Sequence, residues 1–145
     1  MMGTVKTVLV TWQPEVDRFE ALGGLRGHLV HINAPHEGRP AGFSASELLL
    51  AAAGACSAWD VVEILRKQRQ ELTALEVTVE GEQQDRPPFS FRDIELVFRA
   101  TGHGLDPSKV KRAVALSEER YCSVIGTIRG VARVTCRAEV AEAAT

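Results

Sequence analysis

Residues 47–67 read ELLLAAAGACSAWDVVEILRK, and the fold turns on how this stretch is taken. From Leu48 to Trp59 there is no charge, so a helix here is apolar on every side. Such a helix has to be buried. Twelve uncharged residues fall short of the roughly 20 that span a bilayer, and the run closes on Asp60 and Glu63, so a core helix is expected and no membrane segment. Cys56 lies inside it.

Upstream, Ser44-Ala45-Ser46-Glu47 has the spacing of a capping box, which starts the helix near Ala45. Continued to about Arg69, the helix is roughly 37 Å long at 1.5 Å per residue. A single domain of 145 residues struggles to cover so long an apolar rod, so a second copy of the chain is expected to cover part of it as a homodimer.

The flanks of the helix set the fold class. Residues 4–12 alternate with β-branched residues and read as a strand ended by Pro14. Two shorter strands, 17–22 and 26–32, lie either side of the Gly23-Gly24 turn, and a loop, 33–43, leads into the helix. After the helix, 75–83 and 91–100 alternate and are expected to pair as a hairpin across Asp85-Arg86-Pro87-Pro88. Asp106-Pro107 caps and opens a second helix whose buried stripe is Val110, Ala113, Val114 and Leu116. The tail, 131–140, alternates as a last strand. Strands grouped together rather than interleaved with helices predict one α+β domain over 1–145 with antiparallel sheets around the long central helix.

Composition excludes several functions. A net charge of −2 gives no electrostatic footprint for nucleic acid. The first residues have neither the flanks nor the small-residue site of a signal peptide, and a cytoplasmic location is expected. Three widely spaced cysteines, Cys56, Cys122 and Cys136, fit reduced thiols rather than a secreted disulfide framework. There is no CxxC, HExxH or glycine-rich phosphate loop, and His28 and His31, three apart in a strand, point to opposite faces, with His36 and His103 in loops. Neither metal nor nucleotide cofactor is expected.

The run SELLLAAAGACSAWDVVEILRK, followed 66 residues after its cysteine by Glu119-Arg120-Tyr121-Cys122-Ser123-Val124, resembles the OsmC/Ohr family of small thiol-dependent proteins, and its YhfA-like branch in particular. The PPF turn and AVALSEERYCSV fit the same pattern. The resemblance implies an intertwined homodimer with the long helices at its centre. It also implies two sites at the subunit interface, where Cys56 and Cys122 reduce hydroperoxides and an external dithiol restores the thiols. Family members that reduce hydroperoxides use an arginine from the N-terminal strands and a glutamate at the start of the long helix. Arg18 is the best placed arginine here, with Arg26 and Arg39 as alternatives. Glu47 is the glutamate, though the family position aligns with Ser46, and Glu47 lies about half a turn around the helix from Cys56. Glu47 is therefore either catalytic or the partner in the capping box.

The thiol chemistry imposes its own conditions. An ordinary cysteine, with a pKa near 8.5, is only a few per cent thiolate at pH 7, and burial makes it less so. Cys56 needs a cation or donors aimed at its sulfur. Cys122 precedes the first turn of a short helix, where backbone N–H groups favour a thiolate, and is read as the resolving thiol. Cys136 reads as a plain strand residue. Asp60, one helical turn beyond Cys56, disfavours a thiolate and with Glu63 begins a solvated or interface end of the helix. Trp59, Phe43 and Tyr121 are candidate walls of an apolar pocket. Two functions follow: a two-cysteine hydroperoxide reductase, or a non-catalytic dimer that binds a small apolar ligand or senses redox state.

Overall fold

The computed structural model describes residues 3–24, 27–33 and 42–145, so Arg26, Arg39, His36 and most of the expected loop lie outside the described residues. The chain divides into two units at Leu49/Leu50.

In the first unit, β1 (Val8–Gln13), β2 (Arg18–Gly23) and β3 (His28–Asn33) form an antiparallel meander in that order. The first ladder closes where Gln13 faces Arg18, across the turn that begins at Pro14, and the second where Gly23 faces His28, at the Gly23-Gly24 turn. Gly24 takes φ of +75°, the conformation that this turn needs and that glycine adopts freely. His31 faces Glu20 across the ladder, with Nε2 3.7 Å from the carboxylate. Phe43 makes one parallel bridge to Ile32. α1 (Ala45–Lys67) begins in this unit as the capping box requires. Ser44 Oγ accepts from the Glu47 N–H at 3.2 Å, but the Glu47 carboxylate accepts a hydrogen bond from the Ser44 hydroxyl, at 2.8 Å, rather than from a backbone N–H.

The second unit carries the core. β4 (Glu71–Gln83) and β5 (Phe91–His103) pair antiparallel, as their alternation predicts, and both run longer than the alternating stretches. His103 is therefore the last residue of β5 rather than a loop histidine. β6 (Arg133–Glu142) completes the sheet in the order β4-β5-β6, and here the expectation of antiparallel sheets is corrected, because β6 runs parallel to β5. A parallel neighbour needs a crossover connection rather than a tight turn. Residues 104–132 provide it: α2 (Pro107–Leu116), a single π-helical turn (Ser117–Tyr121) and α3 (Ser123–Ile128). Strand grouping along the sequence hides this, since the crossover consists of helices that follow the hairpin.

α2 starts as its sequence dictates, with the Asp106 carboxylate accepting from the Ser108 N–H at 2.9 Å and Pro107 at the first helical position. Val110, Ala113 and Val114 are buried, while Leu116 is half-buried. Ile94, Leu96, Phe98 and Ala100 on β5 form the inner face of the sheet, clustered with Val61 and Leu65 of α1, Val110 of α2 and Ile125 of α3.

α1 is less enclosed than its composition implies. By length and hydropathy it meets the requirement for crossing a membrane, with a mean hydropathy of 1.7, so its composition does not exclude a span. In the fold, Ala53, Gly54, Ser57, Val61 and Leu65 form a buried stripe on one side. Leu49 and Trp59 remain exposed in the single chain, Trp59 at 64%.

Gly102, where β4, β5 and β6 meet, leaves no room for a side chain. A Cβ there would lie 2.1 Å from the Glu71 carbonyl oxygen and 2.9 Å from Leu105 Cγ. Gly102→Ala should therefore destabilise the fold by about 1–3 kcal/mol, the usual cost of overpacking, as a lower urea midpoint with an unchanged slope.

Candidate active site

Two cysteines far apart in sequence meet in the second unit. Cys56 is half-buried on α1, on the turn that carries the buried Ala53 and Ser57. Cys122 is 4% exposed and sits where the crossover changes direction. The π turn ends when the Cys122 N–H donates to the Ser117 carbonyl at 2.9 Å, and Cys122 then serves as N-cap of α3, its sulfur accepting from the Ile125 N–H at 3.4 Å. This places Ser123 beside α1, with Ser123 Oγ 3.9 Å from Cys56 Sγ. All three cysteines are unbridged thiols.

The two sulfurs have opposite tendencies. Partial burial pushes the Cys56 thiol up, but the Val124 N–H, the Cys122 thiol, and the Ser123 hydroxyl and N–H all favour its ionised form and together bring it below the ordinary value. Cys122 is pushed up to about 11, first by burial, which outweighs the Ile125 N–H, and further by the neighbouring Cys56 sulfur. The N–H groups of the first turn of α3 favour a thiolate at both sulfurs, but at Cys122 burial outweighs them and the thiol keeps its proton. Cys136, on β6, is pushed up to about 12 by burial and then by Glu118.

The groups that most lower the Cys56 thiol are thus neutral donors rather than a cation. Arg18 and Glu47 lie in the N-terminal unit with local partners: Arg18 Nε donates to Gln13 Oε1 at 2.9 Å, and Glu47 holds Ser44. Trp59, Phe43 and Tyr121 are exposed at 64%, 45% and 57%. Tyr121 borders a cleft of about 580 Å³ with Asp60, Glu63, Ile64, Lys67, Gln68 and Leu116, and neither Cys56 nor Cys122 lines it. Among the described residues no group of three His, Cys, Asp or Glu side chains could hold a metal ion. Asp60 is half-buried at the edge of the cleft that Tyr121 borders and also accepts a hydrogen bond from the buried Ser117 hydroxyl at 2.8 Å.

Sequence reasoning took the N–H groups after Cys122 as acting on Cys122, and missed both the reach of Ser123 and Val124 to Cys56 and the part of Ser117. Their role depends on the π turn, which has no periodic signature. The available hint was that Ser117 and Ser123 flank Cys122 at the end of an amphipathic helix.

The opposed ionisations give a direct expectation. With iodoacetamide at pH 7, Cys56 should be modified well before Cys122 and Cys136, as read by peptide mass mapping. A second follows by linkage. Cys122 and Cys136 keep their protons in the fold at pH values where the unfolded chain, with pKa near 8.5, has lost them. Their contribution to stability is complete below pH 8.5 and is lost as pH rises towards 11–12. The urea midpoint should fall steadily from pH 8 to pH 10.5, and less so in Cys136→Ser.

The chain thus combines an α+β fold and a long apolar helix with a thiol on that helix met by a second thiol from a helical crossover. The chain belongs to the OsmC-like family: residues 36–137 match the family described as OsmC-like protein. Its relatives include Protein YhfA of Escherichia coli strain K12, 43% identical over 100 residues that make up 69% of this chain and 75% of that one. Among solved structures, a hypothetical protein from Aquifex aeolicus is similar at a TM-score of 0.86 and 27% identity, over 98% of this chain and all of that one. The organic hydroperoxide resistance protein OhrB of Bacillus subtilis shares the fold at a TM-score of 0.64 and 17% identity, over 94% of this chain and 98% of that one.

Proposed function

We propose that the protein is a thiol-dependent peroxidase that reduces organic hydroperoxides, with Cys56 as nucleophile and Cys122 as resolving thiol. One observation carries the reading: two thiols from distant parts of the chain adjoin, one inclined to ionise and the other held protonated beside it. The name of the Bacillus subtilis neighbour supports the choice of substrate class.

The chemistry follows from that asymmetry. The Cys56 thiolate attacks the terminal oxygen of ROOH, the O–O bond breaks, and the alkoxide leaves as ROH after taking a proton. Cys56 becomes a sulfenic acid. Cys122 attacks the sulfenic sulfur, its proton and the hydroxyl depart as water, and a Cys56–Cys122 disulfide forms. An external dithiol, oxidised in turn, restores both thiols by exchange. No resident cofactor enters this sequence. The protonated Cys122 donates to Cys56 before the attack and is freed to react once the negative charge has left.

In this reading Arg18 steadies the thiolate in the assembled protein, and Glu47 orients that arginine while capping α1. The protein is cytoplasmic in this reading, and its working form is a homodimer; the dimer is supported by Leu49 and Trp59 on α1 and by Val8, Leu9, Val10 and Trp12 on β1, which are all exposed in the single chain. Burying large apolar side chains of this kind contributes about 1.5–3 kcal/mol each.

The alternative, a non-catalytic redox-sensing or ligand-binding dimer, draws on one observation: the donors that act on Cys56 are uncharged, which favours slow oxidation over rapid turnover. Steady-state assays with cumene hydroperoxide and excess dithiothreitol separate the two. Repeated turnover supports the peroxidase, and a single stoichiometric oxidation supports the sensor. Cys122→Ser should still be oxidised once by hydroperoxide, leaving a sulfenic acid that dimedone traps on Cys56 and no intramolecular disulfide.

A further inference from the structure

Ser117 is fully buried and engaged at both ends. Its hydroxyl donates to Asp60 Oδ2 at 2.8 Å and lies 3.4 Å from the Ser57 carbonyl oxygen, both on α1. Its own carbonyl accepts the Cys122 N–H at 2.9 Å, the bond that closes the π turn. Asp60 is one helical turn beyond Cys56, and Ser117 is five residues before Cys122. The residue thus connects the two thiol-bearing elements through one side chain and one peptide group. A π turn inside a helical segment is rare and is often found at functional sites.

We infer that Asp60 and Ser117 are positioning residues: their hydrogen bond fixes the π turn against α1 and so holds Cys122, Ser123 and Val124 against the Cys56 sulfur. The bond joins a half-buried carboxylate to a hydroxyl with no access to water, which makes it strong and costly to break. Without it the turn can relax towards ordinary α-helical bonding, which would draw the Ser123 and Val124 donors away from Cys56. The groups acting on that sulfur from the crossover are Cys122, Ser123 and Val124, with Asp60 one turn away on α1 itself.

The sign of the effect separates this role from simple electrostatics. Removing a negative charge one turn from a thiol should by itself favour the thiolate. A positioning role predicts the reverse. The test is the pH dependence of Cys56 alkylation by iodoacetamide, followed by peptide mass mapping on the full-length protein, for Ser117→Ala, Asp60→Ala and Asp60→Asn. Ser117→Ala and Asp60→Ala should shift the Cys56 profile upwards by about one pH unit and slow alkylation at pH 7 roughly tenfold. Asp60→Asn keeps an oxygen that accepts from Ser117 and should alkylate no more slowly than the wild type. Profiles of folded Ser117→Ala and Asp60→Ala that superpose on the wild type overturn the inference, as does an Asp60→Asn as slow as Asp60→Ala. If Ser117→Ala does not fold, the two Asp60 variants carry the test. Although the clamp presupposes the two-thiol reading of this site, alkylation requires no peroxide. Absent peroxide turnover with the shift intact removes the peroxidase reading and leaves the clamp standing.

Discussion

Cys56→Ser should reduce hydroperoxide turnover by about a thousandfold or more, to the background of the uncatalysed thiol reaction. The expected loss is large because the replacement acts on the one property the site is arranged to produce. The donors from Cys122, Ser123 and Val124 favour an ionised sulfur. A serine hydroxyl in the same place stays protonated at neutral pH and cannot take an oxygen from a peroxide by forming a sulfenic acid. The fold should survive, since Cys56 is half-buried and the hydroxyl retains the 3.9 Å neighbour Ser123 Oγ as a possible partner. Residual turnover within tenfold of the wild type would place the chemistry on another residue.

Phe98→Ala should have the largest effect on stability. Phe98 is fully buried on the central strand of the second sheet, in the cluster that includes Val61, Leu65, Val110 and Ile125. Truncating a buried phenylalanine removes its transfer free energy and leaves a cavity, together about 3–5 kcal/mol. For a domain of marginal stability this is a large share of the total. Urea unfolding followed by circular dichroism should show a correspondingly lower midpoint. Because α1, α2 and α3 all pack on the same cluster, the loss should also loosen the approach of the two cysteines, seen as slower Cys56 alkylation at pH 7.

How much of this was legible from the letters depends on the range of the physics involved. Local signals were read well: the Ser44–Glu47 cap, the Asp106-Pro107 start of α2, and the alternation of Leu75, Val77 and Val79. Each involves neighbours a few residues apart. The parallel pairing of β6 with β5 was not legible, because it depends on where a 29-residue helical crossover delivers the chain, and periodicity within β6 is the same for either direction. The meeting of Cys56 and Cys122 came only from the family resemblance, since nothing in the spacing of two cysteines 66 residues apart brings them together. The helix N–H groups that favour a thiolate at Cys122 could be read from the sequence, but the net rise of that thiol could not, because burial at 4% exposure, invisible in the sequence, outweighs them.

The central claim is that Cys56 and Cys122 act as one redox pair, and thiol stoichiometry tests it most directly. One equivalent of cumene hydroperoxide per chain, added to the fully reduced protein, should consume two of the three thiols. Peptide mapping should then find a Cys56–Cys122 disulfide with Cys136 still free. Three thiols remaining after the peroxide has been offered, or a disulfide that joins any other pair, would contradict it.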